Sequence, residues 1–198
     1  TILEDPANLG LHEASVATQG NYACVIGREL SGSPNFKLYA RVYNTVTGAL
    51  LNAVTIDSNT SGISKVIGVA GFFIVVWKDS GGTNIKAKSI DTLAGSPVWS
   101  GASTLRNDAT GLFDVCPAPS GLGFILAYVV TGTGSLDAYR YNTAFTQQAS
   151  TTGLRAGKTV VAGIVCLSTD GQSPEIVFIA FGNSTDGTVD VIGRNAST

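Results

Sequence analysis

An all-β fold assembled from repeated sheets is what this sequence predicts, and three observations carry the prediction. Gly is abundant while charged residues make up only 13% of the chain, a balance suited to short strands and tight turns. No stretch keeps the 3.6-residue apolar pattern of an amphipathic helix. The third observation is an internal repeat. "LYARVYN" ending at Asn44 recurs as "IKAKSID" ending at Asp91, "LDAYRYN" ending at Asn142 and "VDVIGRN" ending at Asn195, with spacings of 47, 51 and 53 residues. A second series, "YACVIGRE" from Tyr22, "FIVVWKD" from Phe73, "FILAYVV" from Phe124 and "IVFIAFG" from Ile176, has spacings of 51, 51 and 52. A shared period of that length fits a four-stranded propeller blade better than a helical repeat.

The expected architecture is therefore a single β-propeller, or part of one, over residues 1–198. Its blade-like units are expected at 11–57, 64–105, 112–151 and 159–198, each a four-stranded antiparallel meander, the last lacking its outer strand. The second unit shows how the elements follow one another. "SKVIGVAG" reads as a first strand, "FFIVVWKD" as a second, "SGGTN" as a turn, "IKAKSID" as a third strand, "TLAG" as a turn and "SPVWSGASTL" as a fourth strand. The second strand is almost uniformly apolar, as a strand covered on both faces must be. The third alternates Ile85, Ala87 and Ser89 against Lys86, Lys88 and Ile90, as expected nearer a rim.

The repeated wording at the ends of the third strands has a turn explanation. Asn or Asp hydrogen-bonds its own backbone two residues on, and a following Gly accepts the positive φ that closes the loop. Asn44 with Gly48, Asp91 with Gly95, Asn142 and Asn195 are the expected structural turn residues, with Thr146 standing where a third Gly would be. In a ring that closes with a strand from the other end of the chain, "TILEDP" is the expected donor. Removing residues 1–6 would then lower the melting temperature.

Composition narrows the function classes. The apolar content of 44% over 198 residues supports a packed core rather than disorder. Twelve basic residues against fourteen acidic give a net charge of −2, and the basic residues are scattered from Arg28 to Arg194, with only Lys78, Lys86 and Lys88 loosely grouped. No footprint for nucleic acid or an anionic membrane results. Cys24, Cys116 and Cys166 are odd in number and set in apolar runs, so they read as small buried hydrophobes rather than a disulfide framework or a zinc site. The longest apolar run, "GVAGFFIVVW", falls short of a membrane span, and no basic-then-apolar signal opens the chain. A start at Thr1 suggests a trimmed or excised piece.

Few residues carry a chemical signal. His12 is the only histidine and has no nucleophile motif with it, so it reads as a loop or rim residue. Asp114, in the apolar first strand "LFDVCPAP", faces the expected propeller axis, where a desolvated carboxylate can act as an acid or base. A hydrogen-bonded structural Asp is the competing and commoner case. Asp170, Glu175, Asp186 and Asp190 lie near glycines in "STDGQSPE" and "NSTDGTVD", but neither loop has the alternating ligands of a calcium site. No metal or cofactor is expected. "DSGGTN" joins two strands and so lacks the helix N-terminus of a phosphate cradle. Trp77 belongs to a buried-type strand, whereas Trp99 and Tyr139 are the expected rim aromatics for sugar stacking. Sequons at Asn59, Asn183 and Asn195 matter only in a secreted eukaryotic protein.

The wording of "VVWKDSGGTNIKAKSIDTLAG" and "GFILAYVVTGTGSLDAYRYN" resembles the low-charge, Ser/Thr/Gly-rich propeller blades of short-tailed phage tail nozzle proteins. That resemblance implies a mechanical role without catalysis: a structural or assembly module of a virion or extracellular surface complex, with other structural proteins or copies of itself as partners. Two alternatives stand beside it. One is a carbohydrate- or receptor-binding propeller using Trp99 and Tyr139. The other is a propeller glycoside hydrolase or lyase using Asp114 with a second axial carboxylate. Fold alone does not rank them.

Overall fold

The structure, a computed structural model, describes residues 11–29, 36–81, 83–94, 97–154, 160–168, 176–183 and 187–195. Among these there are fourteen strands and no helix. The chain divides into two compact units, Thr1–Thr104 and Leu105–Thr198.

The first unit is built on one seven-stranded sheet with its strands in chain order: β1 (Leu11–Gln19), β2 (Tyr22–Glu29), β3 (Phe36–Asn44), β4 (Leu50–Val69), β5 (Phe72–Asp79), β6 (Ile85–Asp91) and β7 (Ser103–Arg106), the last crossing the division between the units. The residues between 57 and 64, expected to separate two repeats, do not break the chain. Strand β4 runs through them for 20 residues, pairing with β3 up to Thr60 and with β5 from Thr60 onward. Its polar "DSNTSGIS" resembles a turn, but Thr60 is fully buried and its Oγ1 donates to the Phe36 carbonyl at 3.1 Å. The register against β5 shifts between Thr60 and Ser64, and a bulge there adds twist.

The added twist curls the sheet into a half-barrel. Cys24, Ile26, Leu38, Ala40 and Val42 of β2 and β3 join Val66, Phe73, Val75, Trp77 and Ile90 of β4 to β6 in one core. Trp77 is fully buried, and its indole Nε1 donates to Asp57 Oδ2 at 2.9 Å, so its one polar atom is satisfied. The expected fourth strand at 96–105 is largely replaced. A single bridge joins Ile90 to Trp99, and only β7 continues the ladder. Pro97 has no N–H to donate. Side chains hold this segment instead: Trp99 Nε1 donates to Asn52 Oδ1 at 3.0 Å, and Asn52 Nδ2 donates to the Pro97 carbonyl at 3.1 Å.

The second unit contains two sheets. Strands β8 (Ala109–Pro117), β9 (Gly123–Val130), β10 (Leu136–Asn142) and β11 (Gln147–Thr151) form an antiparallel meander, and β12 (Val160–Ser168), β13 (Ile176–Asn183) and β14 (Thr188–Asn195) form a second. Strand β9 is buried at all but its last residue, as its unbroken apolar sequence requires. One of its faces, with Ile125, Ala127 and Val129, packs with Cys116 against Ile164, Cys166, Val177, Ile179 and Phe181 of the three-stranded sheet. Along β13, Val177, Ile179 and Phe181 point into this core, while Phe178 on the opposite face is 40% exposed beside Val165 and Val191.

Turn chemistry follows the repeated residues. Asn44 Oδ1 accepts from the Val46 and Thr47 amides, and Gly48 adopts φ 73° as its amide donates back to the Asn44 carbonyl. Asp91 Oδ1 accepts from the Leu93 amide at 2.8 Å, while Gly95 lies outside the described residues. Asn142 Oδ1 accepts from Ala144 and Thr146. With Thr146 in place of a glycine, the left-handed position falls to Phe145, at φ 65°, whose ring packs edge-on against Phe124. Asn195 ends β14, paired with Ile176. The proposed strand donor at residues 1–6, and Asp170, Glu175 and Asp186, also lie outside the described residues.

Candidate functional site

The second unit brings together the side chains with the most chemical potential, on opposite faces of the β8–β11 sheet. On the face toward β12–β14, Asp114 stands opposite Ala127 and beside the Cys116 position. It is 8% exposed, and its Oδ2 accepts the backbone N–H of Cys166 at 2.8 Å. That bond links the first strands of two sheets, β8 and β12, across a separation of 52 residues, one repeat period. The Cys116 and Cys166 thiols meet in the same layer. The hydrogen bond between them and their burial push the Cys166 thiol far above its ordinary range, so it is held as an unreactive thiol. Cys24, in the other unit, is raised to about 12 by burial. All three cysteines are free and buried, as their apolar settings predict.

The opposite face carries a cluster that sequence reading did not single out. Arg106 and Asp108 form a two-point ion pair, with Nη2 to Oδ2 at 2.9 Å and Nε to Oδ1 at 3.2 Å. Tyr128 donates its hydroxyl to the same Asp108 Oδ1 at 3.0 Å. The Arg106 guanidinium lies 4.2 Å from the centre of the Tyr139 ring and 5.5 Å from that of Tyr128. Tyr139 stacks in turn on Tyr141, whose hydroxyl donates to the Leu105 carbonyl. Burial favours the neutral form of Asp108, but the hydrogen bonds from Arg106 and Tyr128 outweigh it and hold the carboxyl below its ordinary range. Burial pushes Tyr141 up to about 12, and burial together with the bond to Asp108 raises Tyr128 further. These directions hold Asp108 charged and Tyr128 and Tyr141 neutral at neutral pH, so the ion pair is a fixed array there. An i, i+2 Arg–Asp pair in "RND" was the only sequence signal for it.

The three candidate ligand residues occupy different settings. Tyr139 is 7% exposed beneath Arg106, and Trp99 is half-buried against the first unit's core with its indole N–H bonded to Asn52. Asp114 lies in the second unit, whereas Trp99 lies in the first. His12 is in β1, paired with Arg28, rather than in a loop. Asp190 is placed near Asn183, whose Nδ2 donates to its Oδ2 at 3.4 Å. No group of three or more potential metal ligands occurs among the described residues.

No protein family and no curated protein matches the sequence. Solved structures do match the fold. The chain is similar to a xylan β-1,4-xylosidase of Bacillus halodurans C-125, with TM-score 0.51 and 12% identity, covering 96% of this chain and 41% of that one. It is similar to the catalytic domain of a Coprinopsis cinerea GH62 α-L-arabinofuranosidase, with TM-score 0.51 and 12% identity, covering 96% and 65%. It is also similar to the β-propeller domain of the Trilobed protease of Pyrococcus furiosus, with TM-score 0.50 and 8% identity, covering 92% and 56%. The fold is all-β and of propeller type. The chain spans less than two thirds of each of these structures. These likenesses are to glycoside hydrolases and a protease propeller, and they overturn the reading as a non-catalytic structural module of a phage tail or virion.

Proposed function

We propose that this chain forms part of a glycan-directed propeller and acts as a glycoside hydrolase with Asp114 as its proton donor. One observation carries the reading: Asp114 is a carboxylate in the middle of an apolar inner strand, 8% exposed and fixed by the Cys166 N–H at 2.8 Å. A proton donor needs a low-water setting and a fixed direction, and this position supplies both. The xylosidase and arabinofuranosidase likenesses support a carbohydrate substrate. In such a reaction the carboxylic acid protonates the departing glycosidic oxygen, while a second carboxylate assists water or attacks the anomeric carbon. The finer architecture belongs to the same proposal. Four blades are formed by β1–β3 with the first half of β4, by the second half of β4 with β5–β7, by β8–β11 and by β12–β14.

The test is release of the phenolate from a panel of aryl xylosides, arabinofuranosides and galactosides. Turnover is expected with the unaltered chain and lost in Asp114→Asn, while the melting temperature stays close to the parent's. Activity that persists in Asp114→Asn, or no turnover on any member of the panel, ends the hydrolase reading. The bond to Cys166 favours a second reading, in which Asp114 only ties two sheets together and the propeller binds glycan without cleaving it. Retention of the chain in arabinoxylan affinity gels without any turnover is the result expected in that case.

A further inference from the structure

Register aligns the second strands β2, β5, β9 and β13, and it sorts their neighbourhoods into two series, one on each face. On one face, Cys24, Ile74, Ile125 and Phe178 hold one position. Each lies two residues after the residue paired with Asn44, Asp91, Asn142 or Asn195. The first three are buried, whereas Phe178 is 40% exposed. On the other face, the next residue of each strand is paired with Val16, Val66, Val115 or Cys166. Here the last three are buried, whereas Val16 is 63% exposed. Each series therefore has one open member, on the β12–β14 sheet for one face and on β1 for the other.

Within each unit, these two faces are what cover each other. Cys24 packs with Val66 and Val75 in the first core, and Ile125 packs with Cys166 and Ile179 in the second. Twice over, then, the partner of the Phe178 position is the Val16 position of another sheet. The open Phe178 face is built for the same cover. Val165, Ala180 and Val191 stand opposite one another across β12, β13 and β14, with Val191 60% exposed. A Cβ on Gly193 would meet the Phe178 ring at 3.3 Å, so the ring lies against that glycine. Asp190 and Arg194 pair with Phe181 and Val177 and so belong to the other face, which leaves the described residues of this one uncharged. A contiguous apolar face of this kind marks an interaction site. On the Val16 face, Val16 stands opposite Val25, and Arg41 is next in the row, a residue whose aliphatic stem tolerates apolar cover.

We propose that the Phe178 face is an interface for a second copy of this chain, which covers it with its own Val16 face in a head-to-tail contact. Such a contact is heterologous, so each copy has one face for each of two neighbours and assembly continues past the dimer. Sedimentation velocity of the whole chain over the micromolar range tests it. The sedimentation coefficient of the unaltered chain is expected to rise with concentration. Val191→Asp and Val16→Asp, both at exposed positions, are expected to keep the parent's circular dichroism and to weaken association roughly tenfold or more, because each buries an unpaired charge. Val165→Asp, in the same row as Val191, is expected to act as Val191→Asp does. An equimolar mixture of Val16→Asp and Val191→Asp is expected to form dimers and nothing larger, since one keeps an intact Phe178 face and the other an intact Val16 face. The proposal is overturned if the unaltered chain is monomeric throughout, if the mixture stays monomeric, or if either variant assembles like the parent. Assembly lost in Val191→Asp but kept in Val16→Asp would mean that two Phe178 faces meet, which also overturns the head-to-tail contact. None of these outcomes bears on turnover of aryl glycosides, so this proposal and the hydrolase reading can fail separately.

Discussion

The two units form a two-layer core by different means. In the first, one continuous strand passes from layer to layer, so the backbone ladder itself makes the connection. In the second, two separate sheets meet largely through side chains, and among the described residues the Cys166 amide on Asp114 ties them within the core while the Val160 amide reaches the Gly134 carbonyl at its margin. The lesson is that a single repeat period can close its core either covalently along a strand or by a buried polar tether. The tether is the more fragile device, because removing its acceptor leaves a buried donor without a partner.

The largest effect is expected from the closed side of this comparison. Trp77→Ala removes a fully buried indole shared by both layers of the first core and should cost about 3–5 kcal/mol in urea unfolding. A cost below about 1 kcal/mol would show that the curl does not depend on it. Next comes Gly123→Ala at the start of β9, where a Cβ would fall on the carbonyl oxygen of Tyr141, a backbone atom that cannot step aside. A loss of about 1–3 kcal/mol is expected from this overpacking. Gly48→Ala is the comparison, since nothing lies within 4 Å of its Cβ and only its φ of 73° resists, worth about 1 kcal/mol.

The tether itself gives the third measurement. Asp114→Ala should destabilise the chain by about 1–3 kcal/mol, whereas Asp114→Asn keeps an acceptor for the Cys166 amide and should lose less. Equal losses in the two variants would mean that burial volume, and not the hydrogen bond, holds the sheets. The smallest effect concerns pH. Asp108 has a folded-state value lowered by its bonds to Arg106 and Tyr128, so its contribution is fully present above the ordinary carboxylate value. It is lost as pH falls through the lower folded value. Acid unfolding curves should therefore flatten in Asp108→Asn, with little change at neutral pH.

Much of the fold was legible because a repeat is visible without knowing any register. Strand positions, the buried second strands and the Asn44, Asp91 and Asn142 turns all follow from local patterns. Continuity through Thr60 was not legible, because "DSNTSGIS" has turn composition and only tertiary burial keeps it extended. Phe145 at φ 65° was missed for a related reason, since a side chain rather than a glycine fills the left-handed position there. The site was less legible than the fold. Asp114 was identifiable from its apolar strand, yet its partner lies one period away and is a backbone amide, which leaves no mark in composition. The Arg106 cluster arises where the β9–β10 pairing sets Tyr128 and Tyr139 on one face, within reach of Arg106 and Asp108.

Strand β4 has a further consequence in the time domain. Its amides between Leu50 and Val69 belong to one uninterrupted element that is hydrogen-bonded first to β3 and then to β5. Opening either ladder strips bonds from the same segment, so its protected amides should exchange with solvent as one cooperative block with a single opening free energy. Among the described residues no such strand joins the two sheets of the second unit, which are free to show two exchange classes.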